Sequence, residues 1–124
     1  MENKFKESLF IEQIMVIGEF KKHPAALIQP AFEVLREWCK RKKIDCEDNT
    51  QMINNEQVVK RVMNDINMYN ESFANFEQVK KIKLIDIPWS IEGGELTPTL
   101  KLRRRNILEK YKTLVDEIYP DESA

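Results

Sequence analysis

Residues that carry catalysis or bind metals are scarce in this sequence. Its 124 residues include one histidine, two cysteines and three glycines. A Ser-His-Asp set, a histidine cluster, an HExxH motif and a P-loop are all missing. The acidic residues Asp45, Glu47 and Asp48 lie in a polar stretch, which favours exposed side chains over paired catalytic carboxylates. We therefore expect this chain alone to catalyse no reaction.

The two cysteines and the single histidine are interpreted as structural residues. Cys39 lies on the apolar face of a predicted helix, which indicates a buried thiol, whereas Cys46 lies in a polar stretch. Two cysteines make no disulfide framework and are too few for a zinc site, so we expect no metal and a reducing, cytoplasmic compartment. His23 precedes Pro24 without a second histidine or a carboxylate partner, which favours a turn residue.

Long apolar runs and an excess of one charge are also missing. No apolar run is long enough to span a membrane, and the charged start, residues 1–8, has no stretch typical of a signal peptide. Lysine and arginine number 20 against 21 aspartates and glutamates, which gives a net charge of -1. A global nucleic-acid binder is usually basic, so any anion site must be local. The length predicts one domain, 1–124, with a hydrophobic core.

The hydrophobic pattern predicts an α+β fold, in which helices pack on a small mixed sheet of about three strands. The predicted strands are rich in branched apolar residues, the first two could pair as a hairpin, and they cover residues 11–19, 24–29 and 79–87. Four helices are predicted: residues 3–10, a segment that begins at Pro30, residues 56–73, and a C-terminal segment that ends before Pro120. The inner face of the second helix is predicted from Phe32, Leu35, Trp38 and Cys39. Asn54 or Asn55 is the predicted cap of the third. The remaining segments are predicted as a connection at 20–23, a polar loop at 44–53 and a frayed tail at 121–124.

A glycine pair and a Thr-Pro-Thr bend precede the C-terminal helix. Gly93-Gly94 is typical of a turn that needs positive φ, and Thr97-Pro98-Thr99 predicts a rigid bend. Thr99 is the predicted N-cap, because its hydroxyl can accept a hydrogen bond from a backbone N–H of the first turn. The apolar face of the helix is predicted from residues at helical spacing: Ile107, Leu108, Tyr111, Leu114, Val115 and Ile118.

Four cations follow this bend: Lys101, Arg103, Arg104 and Arg105. They crowd the predicted first turn of the helix, where the helix dipole is already positive. Free backbone N–H groups together with four cations can bind an anion, and phosphate is the usual ligand. The alternative is a solvated basic face without a ligand, which is the commoner explanation of a charge run.

The same stretch carries a resemblance to a known family. The string Leu96-Thr97-Pro98-Thr99-Leu100-Lys101-Leu102-Arg103-Arg104 resembles the C-terminal signature of long-chain acyl-CoA synthetases (long-chain fatty-acid–CoA ligases), which belong to the adenylate-forming, or AMP-binding, superfamily. The preceding residues 85–94 (IDIPWSIEGG) and the following residues 107–111 (ILEKY) are similar to that family. The opening, residues 2–7 with 11–18, is similar too, so the resemblance spans nearly the whole chain.

The resemblance implies a function for a larger enzyme. A carboxylate and ATP give acyl-AMP and pyrophosphate, and coenzyme A then displaces AMP to give the thioester. A large N-terminal domain would bind ATP, Mg²⁺ and the acyl chain, and this chain would be the small C-terminal domain that rotates between the two steps. The hinge would lie just before Met1, and the N-terminal domain would be the partner. ATP, Mg²⁺ and coenzyme A are therefore expected for the intact enzyme, and no cofactor is expected for this chain alone.

Lys101 matches the lysine that enters the active site of the family for adenylation. An ammonium group on a long stem can contact both a carboxylate and an α-phosphate, which suits that role. Thr97, Pro98, Thr99, Gly93 and Gly94 would support the motif. Contacts of Arg103, Arg104 and Arg105 with nucleotide phosphate, coenzyme A phosphates or the partner domain stay open, as does the absence of any contact.

Two further functions stay open. The chain could be a free-standing module that binds RNA or another polyanion through residues 101–105, or a non-catalytic interaction domain. The net charge of -1 and the lack of aromatic residues between the cations argue against nucleic acid. Fatty substrates make peripheral membrane contact of the intact enzyme a further expectation.

Overall fold

The computed structural model describes residues 2–18, 24–74 and 77–118. Within them the chain forms six helices and three strands, with these bounds: α1 Glu2–Phe5, β1 Ile11–Ile17, β2 Ala25–Pro30, α2 Phe32–Arg41, α3 Asn49–Asn54, α4 Glu56–Asn70, β3 Lys81–Leu84, α5 Arg104–Lys110 and α6 Lys112–Ile118. The chain divides into two compact units, Met1–Ile87 and Pro88–Ala124. The sheet belongs to the first unit and the predicted functional stretch to the second. None of the helices in the described ranges is long and apolar enough to cross a membrane.

Strand β2 is the centre of a three-stranded sheet with the order β1-β2-β3. β1 pairs with it antiparallel, with Ile17 opposite Ala25, and β3 pairs with it parallel, from Lys81 opposite Ala25 to Leu84 opposite Ile28. Every residue of β2 is buried, as expected for a central strand of small and branched apolar residues that is covered on both faces. The predicted α+β fold, with its small mixed sheet and its hairpin, is confirmed.

The core of the first unit joins the sheet to helices α2, α3 and α4. Val58, Val62 and Ile66 of α4 are each fully buried, and their spacing of four residues puts them on one face of the helix. They belong to one buried cluster with Leu35 and Cys39 of α2. The prediction that Cys39 is a buried thiol is thus confirmed.

Polar side chains begin and end the long helix α4. The side chain of Asn55 accepts hydrogen bonds from the backbone N–H groups of Gln57 at 2.9 Å and Val58 at 3.4 Å, which confirms the predicted cap. The helix ends at Asn70 and not at residue 73. The Asn70 amide is buried and pairs with both backbone groups of Val79, donating to its oxygen at 2.8 Å and accepting from its nitrogen at 2.9 Å. These two hydrogen bonds connect the end of α4 to Val79, two residues before β3 begins.

Several sequence predictions in the first unit were wrong. The predicted N-terminal helix over 3–10 stops at Phe5, because Ser8 reverses the chain by accepting a hydrogen bond from the backbone N–H of Phe10 at 3.1 Å. Pro30 does not open α2; it ends β2 opposite Ile11, and the helix begins at Phe32. Proline fits a strand end as well as a helix start, since both tolerate the missing N–H.

The third error is the polar loop predicted over residues 44–53, which contains all of helix α3 except its last residue. The side chain of Asp48 caps this helix by accepting a hydrogen bond from the backbone N–H of Gln51 at 2.8 Å. Met52 anchors it, because its side chain is fully buried. Asp45 and Glu47 are exposed together with Asp48, as predicted. Six residues with two apolar side chains carry too little periodicity to identify a helix from sequence.

Strand β3 is shorter than the predicted 79–87, since it pairs with β2 only from Lys81 to Leu84. The backbone N–H of Ile85 still donates to the oxygen of Ile28 at 2.9 Å, so hydrogen bonding to β2 continues one residue beyond the end of β3. The connection predicted at 20–23, with His23, and the tail predicted at 121–124 lie outside the described residues.

Candidate functional site

Ser90 organises the turn that opens the functional stretch. Its backbone carbonyl oxygen accepts hydrogen bonds from the backbone N–H groups of Glu95 and Leu96, each at 3.2 Å. Its hydroxyl accepts one from Gly93 at 2.8 Å. Gly94 has φ of +87°, a conformation that favours glycine. The turn predicted at the glycine pair is therefore confirmed.

Gly93 makes room for a buried carboxylate. A Cβ atom at this position would lie 2.4 Å from Oε1 and 2.8 Å from Oε2 of Glu95. The carboxylate of Glu95 thus rests against the glycine, and a side chain there would displace it. Gly93 and Gly94 therefore have separate physical reasons to be glycine, one of space and one of backbone conformation.

The carboxylate of Glu95 is paired inside the second unit. Its side chain is 2% exposed, forms an ion pair with Lys110 and accepts a hydrogen bond from the backbone N–H of Ser90 at 3.0 Å. Burial raises the pKa of Glu95, but the hydrogen bonds from Lys110 and Ser90 and the charge of Lys110 outweigh it, and the pKa is lowered. The hydrogen bond to Glu95 in turn raises the pKa of Lys110. Glu95 is therefore charged at neutral pH.

Sequence analysis missed the ion pair between Glu95 and Lys110. The two residues lie far apart in sequence, on a turn and at the end of α5, and each resembles an ordinary exposed charge. No motif signals their contact. The pair connects the turn to α5 and is assisted by Asn106, whose side chain donates to the oxygen of Gly94 at 3.0 Å.

The LTPTLK string forms a closed loop. Leu96 and Leu102 pair in an antiparallel bridge at its base. Within the loop, the backbone N–H of Leu100 donates to the oxygen of Thr97 at 2.8 Å, which closes a β-turn. Pro98 occupies the second position of that turn, where its fixed φ is favourable. The rigid bend predicted for Thr97-Pro98-Thr99 is this turn.

Thr97 fixes the backbone of Lys101 at two points. The backbone N–H of Thr97 donates to the oxygen of Lys101 at 2.8 Å. The backbone N–H of Lys101 donates to the hydroxyl oxygen of Thr97 at 3.1 Å. The side chain of Lys101 is exposed, and its ammonium has no hydrogen-bond or ion-pair partner among residues 88–118. The backbone of Lys101 is therefore held in place while its ammonium group is exposed to solvent.

The predicted capping role of Thr99 was wrong. Its hydroxyl lies 3.1 Å from the hydroxyl of Thr97 inside the loop, and α5 begins five residues later, at Arg104. Leu100 has φ of +64°, a left-handed conformation that interrupts any helix at this point. Arg103 stands at the N-cap without a side-chain cap, and its backbone N–H donates to the oxygen of Glu95 at 2.8 Å.

The C-terminal helix is broken at Tyr111, although the sequence predicts one continuous helix. Tyr111 has φ of -108° and ψ of 25°, and it separates α5 from α6. Its hydroxyl accepts a hydrogen bond from the indole nitrogen of Trp89 at 3.3 Å, and the two rings lie 6.3 Å apart. Ile107 and Ile118 of the predicted apolar face are buried, but Leu108 is 40% exposed.

The four cations do not share one helical turn. Lys101 lies in the loop, Arg103 precedes α5, and only Arg104 and Arg105 belong to its first turn. All four side chains are exposed. The predicted arrangement of four cations around one helix N-terminus is therefore wrong, because the left-handed Leu100 delays the helix. Across the described residues, no cluster of histidine, cysteine, aspartate and glutamate could hold a metal ion.

Comparison with known protein families shows the family of the chain. The family model for the AMP-binding enzyme C-terminal domain matches residues 1–123. The chain belongs to the AMP-binding enzyme C-terminal domain family. Its resemblance to adenylate-forming enzymes, first inferred from the LTPTLK string, is thereby confirmed.

Relatives of this AMP-binding C-terminal domain include long-chain acyl-CoA synthetases. The chain is 28% identical over 124 residues to long chain acyl-CoA synthetase 2 of Arabidopsis thaliana, covering 98% of the chain and 19% of that relative. It is 30% identical over 122 residues to long-chain-fatty-acid–CoA ligase 6 of Homo sapiens, covering 96% of the chain and 17% of that relative. The chain thus spans less than a fifth of the length of these two curated relatives.

Solved structures share the fold of this AMP-binding C-terminal domain. The adenylation domain of a carboxylate reductase from Mycobacterium chelonae aligns with a TM-score of 0.76 at 17% identity, over 96% of this chain and 17% of that one. The corresponding domain from Segniliparus rugosus, in complex with AMP and a co-purified carboxylic acid, aligns with a TM-score of 0.76 at 19% identity, over 97% of this chain and 17% of that one. At this identity the likeness shows the α+β fold of the C-terminal subdomain of adenylate-forming enzymes.

Proposed function

We propose that this chain acts as the C-terminal domain of an ATP-dependent long-chain fatty-acid–CoA ligase and delivers Lys101 for adenylation. The observation that carries the proposal is the loop of Lys101, in which Thr97 holds the backbone and leaves the ammonium exposed. The family of the chain and its long-chain acyl-CoA synthetase relatives support the reaction class.

The chemistry of adenylation suits an exposed ammonium group whose backbone is held in place. A fatty-acid carboxylate and the α-phosphate of ATP repel each other, and both must approach within bonding distance. A cation between them offsets that repulsion and the charge that develops in the transition state. Because the stem of lysine is long, Lys101 can contact both groups while its backbone stays in the turn.

The partner in this proposal is a large N-terminal domain that binds ATP, Mg²⁺ and the acyl chain. The chain would rotate against it after adenylation, withdraw Lys101 and leave space for coenzyme A, which is an established use of mobile domains. Arg103, Arg104 and Arg105 are exposed and follow the loop directly. We propose them as contacts for phosphates of the nucleotide or of coenzyme A.

The test replaces Lys101 by alanine in the intact enzyme and measures the two half-reactions separately. Lys101→Ala should lower acyl-AMP formation at least about 100-fold, the scale for losing one group that stabilises a transition state. Thioester formation from pre-made acyl-AMP should change little. The matched control is Lys112→Ala, because Lys112 is also exposed but lies on α6, outside the loop.

A second variant tests whether the loop positions Lys101. Thr97→Val keeps the lysine but removes the hydroxyl that accepts its backbone N–H. Adenylation should fall less than in Lys101→Ala, and thioester formation should again change little. Adenylation by Lys101→Ala within a few-fold of the unchanged enzyme would contradict the proposed role of the lysine.

A further inference from the structure

Leu100, the residue before Lys101, combines two features that are unfavourable in the chain alone. Its φ of +64° lies in the left-handed region, which strains a bulky residue. Leu100 is also 61% exposed, although its side chain is apolar. In the described ranges one other non-glycine residue, Lys43, has positive φ, and it directly follows the C-cap of α2, a common place for this conformation. Leu100 ends no helix and needs a different explanation.

The geometry of the loop explains the left-handed backbone but not the leucine. The backbone N–H of Thr97 donates to the oxygen of Lys101 at 2.8 Å, which leaves a three-residue loop, 98–100, between them. A loop of this kind commonly begins with a β-turn and places its third residue in the left-handed region. Glycine adopts that conformation without steric strain. A glycine at position 100 would therefore form the same loop at lower energy than leucine.

The side chain of Leu100 does little within the chain to offset this strain. An apolar side chain stabilises a fold in proportion to the area that is removed from water, and most of Leu100 remains in water. Residues that are held in strained backbone conformations cluster at functional sites. The stabilising contact of Leu100 must therefore be one that the chain by itself does not make.

The position of Leu100 beside Lys101 indicates where that contact lies. The Cα atoms of neighbouring residues are about 3.8 Å apart across a trans peptide, and the described residues contain no cis peptide bond. In the proposed adenylation step, Lys101 enters an active site on the N-terminal domain. Because both residues belong to one closed loop, this movement carries Leu100 to the same surface.

We propose that Leu100 packs on an apolar surface of the N-terminal domain when Lys101 enters the active site, and that it is a positioning residue for adenylation. This inference rests on the proposed function, because the contact forms only in the domain arrangement that adenylation uses. Burial of Leu100 stabilises that arrangement relative to the one for thioester formation. The lysine supplies the charge, and the leucine holds the loop against the partner domain.

The experiment compares three variants of Leu100 in the intact enzyme and measures the two half-reactions separately. Leu100→Gly and Leu100→Asn keep a residue that tolerates positive φ but remove the apolar side chain. Acyl-AMP formation at saturating ATP and fatty acid should fall about 5- to 20-fold in both, the scale for leaving the exposed part of a leucine in water. Thioester formation from pre-made acyl-AMP should change little. Leu100→Met keeps an apolar side chain of similar size and should stay within about twofold of the unchanged enzyme.

The stability of the 124-residue chain separates a docking role of Leu100 from a structural one. Leu100→Gly relieves the strained backbone, so its midpoint in urea unfolding should be no lower than that of the unchanged chain. Adenylation should thus fall without a loss of stability. The matched control is Leu108→Gln, because Leu108 is also an exposed apolar residue but lies on α5, outside the loop. This control should leave both half-reactions unchanged.

Lys101→Ala in the same assay distinguishes a failure of this inference from a failure of the proposed function. If Lys101→Ala loses acyl-AMP formation but Leu100→Gly keeps it, the role of Leu100 is wrong and that of Lys101 stands. A loss in Leu100→Met as large as in Leu100→Gly, or a lower unfolding midpoint for Leu100→Gly, also overturns the inference. Unchanged acyl-AMP formation in Lys101→Ala overturns the proposed function, and the role of Leu100 falls with it.

Discussion

The ion pair between the buried carboxylate of Glu95 and the partly exposed Lys110 allows a sharp test of what holds the second unit together. Replacing Lys110 by methionine keeps most of the apolar stem and removes the charge. Glu95 then keeps its hydrogen bond from Ser90 but loses its cation. Because the side chain of Glu95 is 2% exposed, its unpaired carboxylate should destabilise the fold.

The magnitude follows from the burial of the two partners. Removing one partner of a fully buried pair costs about 3–5 kcal/mol. The side chain of Lys110 is 45% exposed, so water replaces part of the lost interaction and screening lowers the cost. We expect a loss of about 1.5–3 kcal/mol in the free energy of unfolding at neutral pH, the range for a hydrogen bond to a charged group.

The loss should depend on pH in a defined direction. In the unchanged protein the pKa of Glu95 is lowered from 4.5, so its contribution is present above that value and is lost as pH falls through the folded pKa. Lys110→Met removes the hydrogen bond and the charge that lower the pKa of Glu95, while burial still raises that pKa. Glu95 therefore becomes protonated at a higher pH in the variant. The difference in stability between the two proteins should therefore shrink as pH falls from neutral into the acid range.

Urea unfolding followed by circular dichroism, at neutral pH and near pH 4, measures both effects. Hydrogen exchange at the backbone N–H of Ser90, which donates to Glu95, reports the local change. The control is Lys112→Met, and Glu95→Gln in both backgrounds completes a double-mutant cycle. A loss below about 0.5 kcal/mol at neutral pH, where exposed ion pairs lie, or a loss that stays constant with pH, would refute the reasoning.

Three further substitutions test local features. Asn55→Ala should destabilise the protein by about 1 kcal/mol in urea unfolding, because α4 loses its cap, whereas Asn54→Ala should have a smaller effect. Gly94→Ala should cost about 1–2 kcal/mol in thermal unfolding, since φ of +87° is strained for alanine; an unchanged melting temperature would contradict this. Asn70→Ala should cost at least about 2 kcal/mol and speed hydrogen exchange at Val79, because both backbone groups of Val79 lose a buried partner; unchanged exchange would contradict it.

The successful predictions rest on signals that lie close together in sequence. The strand over residues 11–17 and the helix capped by Asn55 show strong apolar patterns over seven and fifteen residues. The turn at Gly93-Gly94 follows from the conformational freedom of glycine. The membership of the AMP-binding C-terminal domain family follows from a specific string around Lys101, and it is confirmed over residues 1–123.

The failed predictions concern residues whose local signals fit two structures. Pro30 suits a strand end and a helix start, and tertiary pairing with Ile11 decides for the strand. Thr99 suits an N-cap, but Leu100 takes a left-handed conformation and the helix starts at Arg104. The break at Tyr111 likewise accompanies a contact with Trp89, which is distant in sequence.

The roles of Lys101 and of the three arginines, and the cytoplasmic compartment, stay predictions. The structure contributes the attachment of Lys101 to Thr97 and the exposure of its side chain. Adenylation assays on the intact enzyme are the measurement that bears on the lysine.

Periodicity, the conformational freedom of glycine and a specific motif act over short stretches of chain, so the α+β class, the position of the hairpin and the family could be predicted from residue order alone. The burial of Glu95 against Lys110 depends instead on the folded chain. It requires a reversal of the backbone at Gly94 that brings two separated side chains together. Burial and pairing of charges are properties of such contacts, and residue identity alone does not specify them.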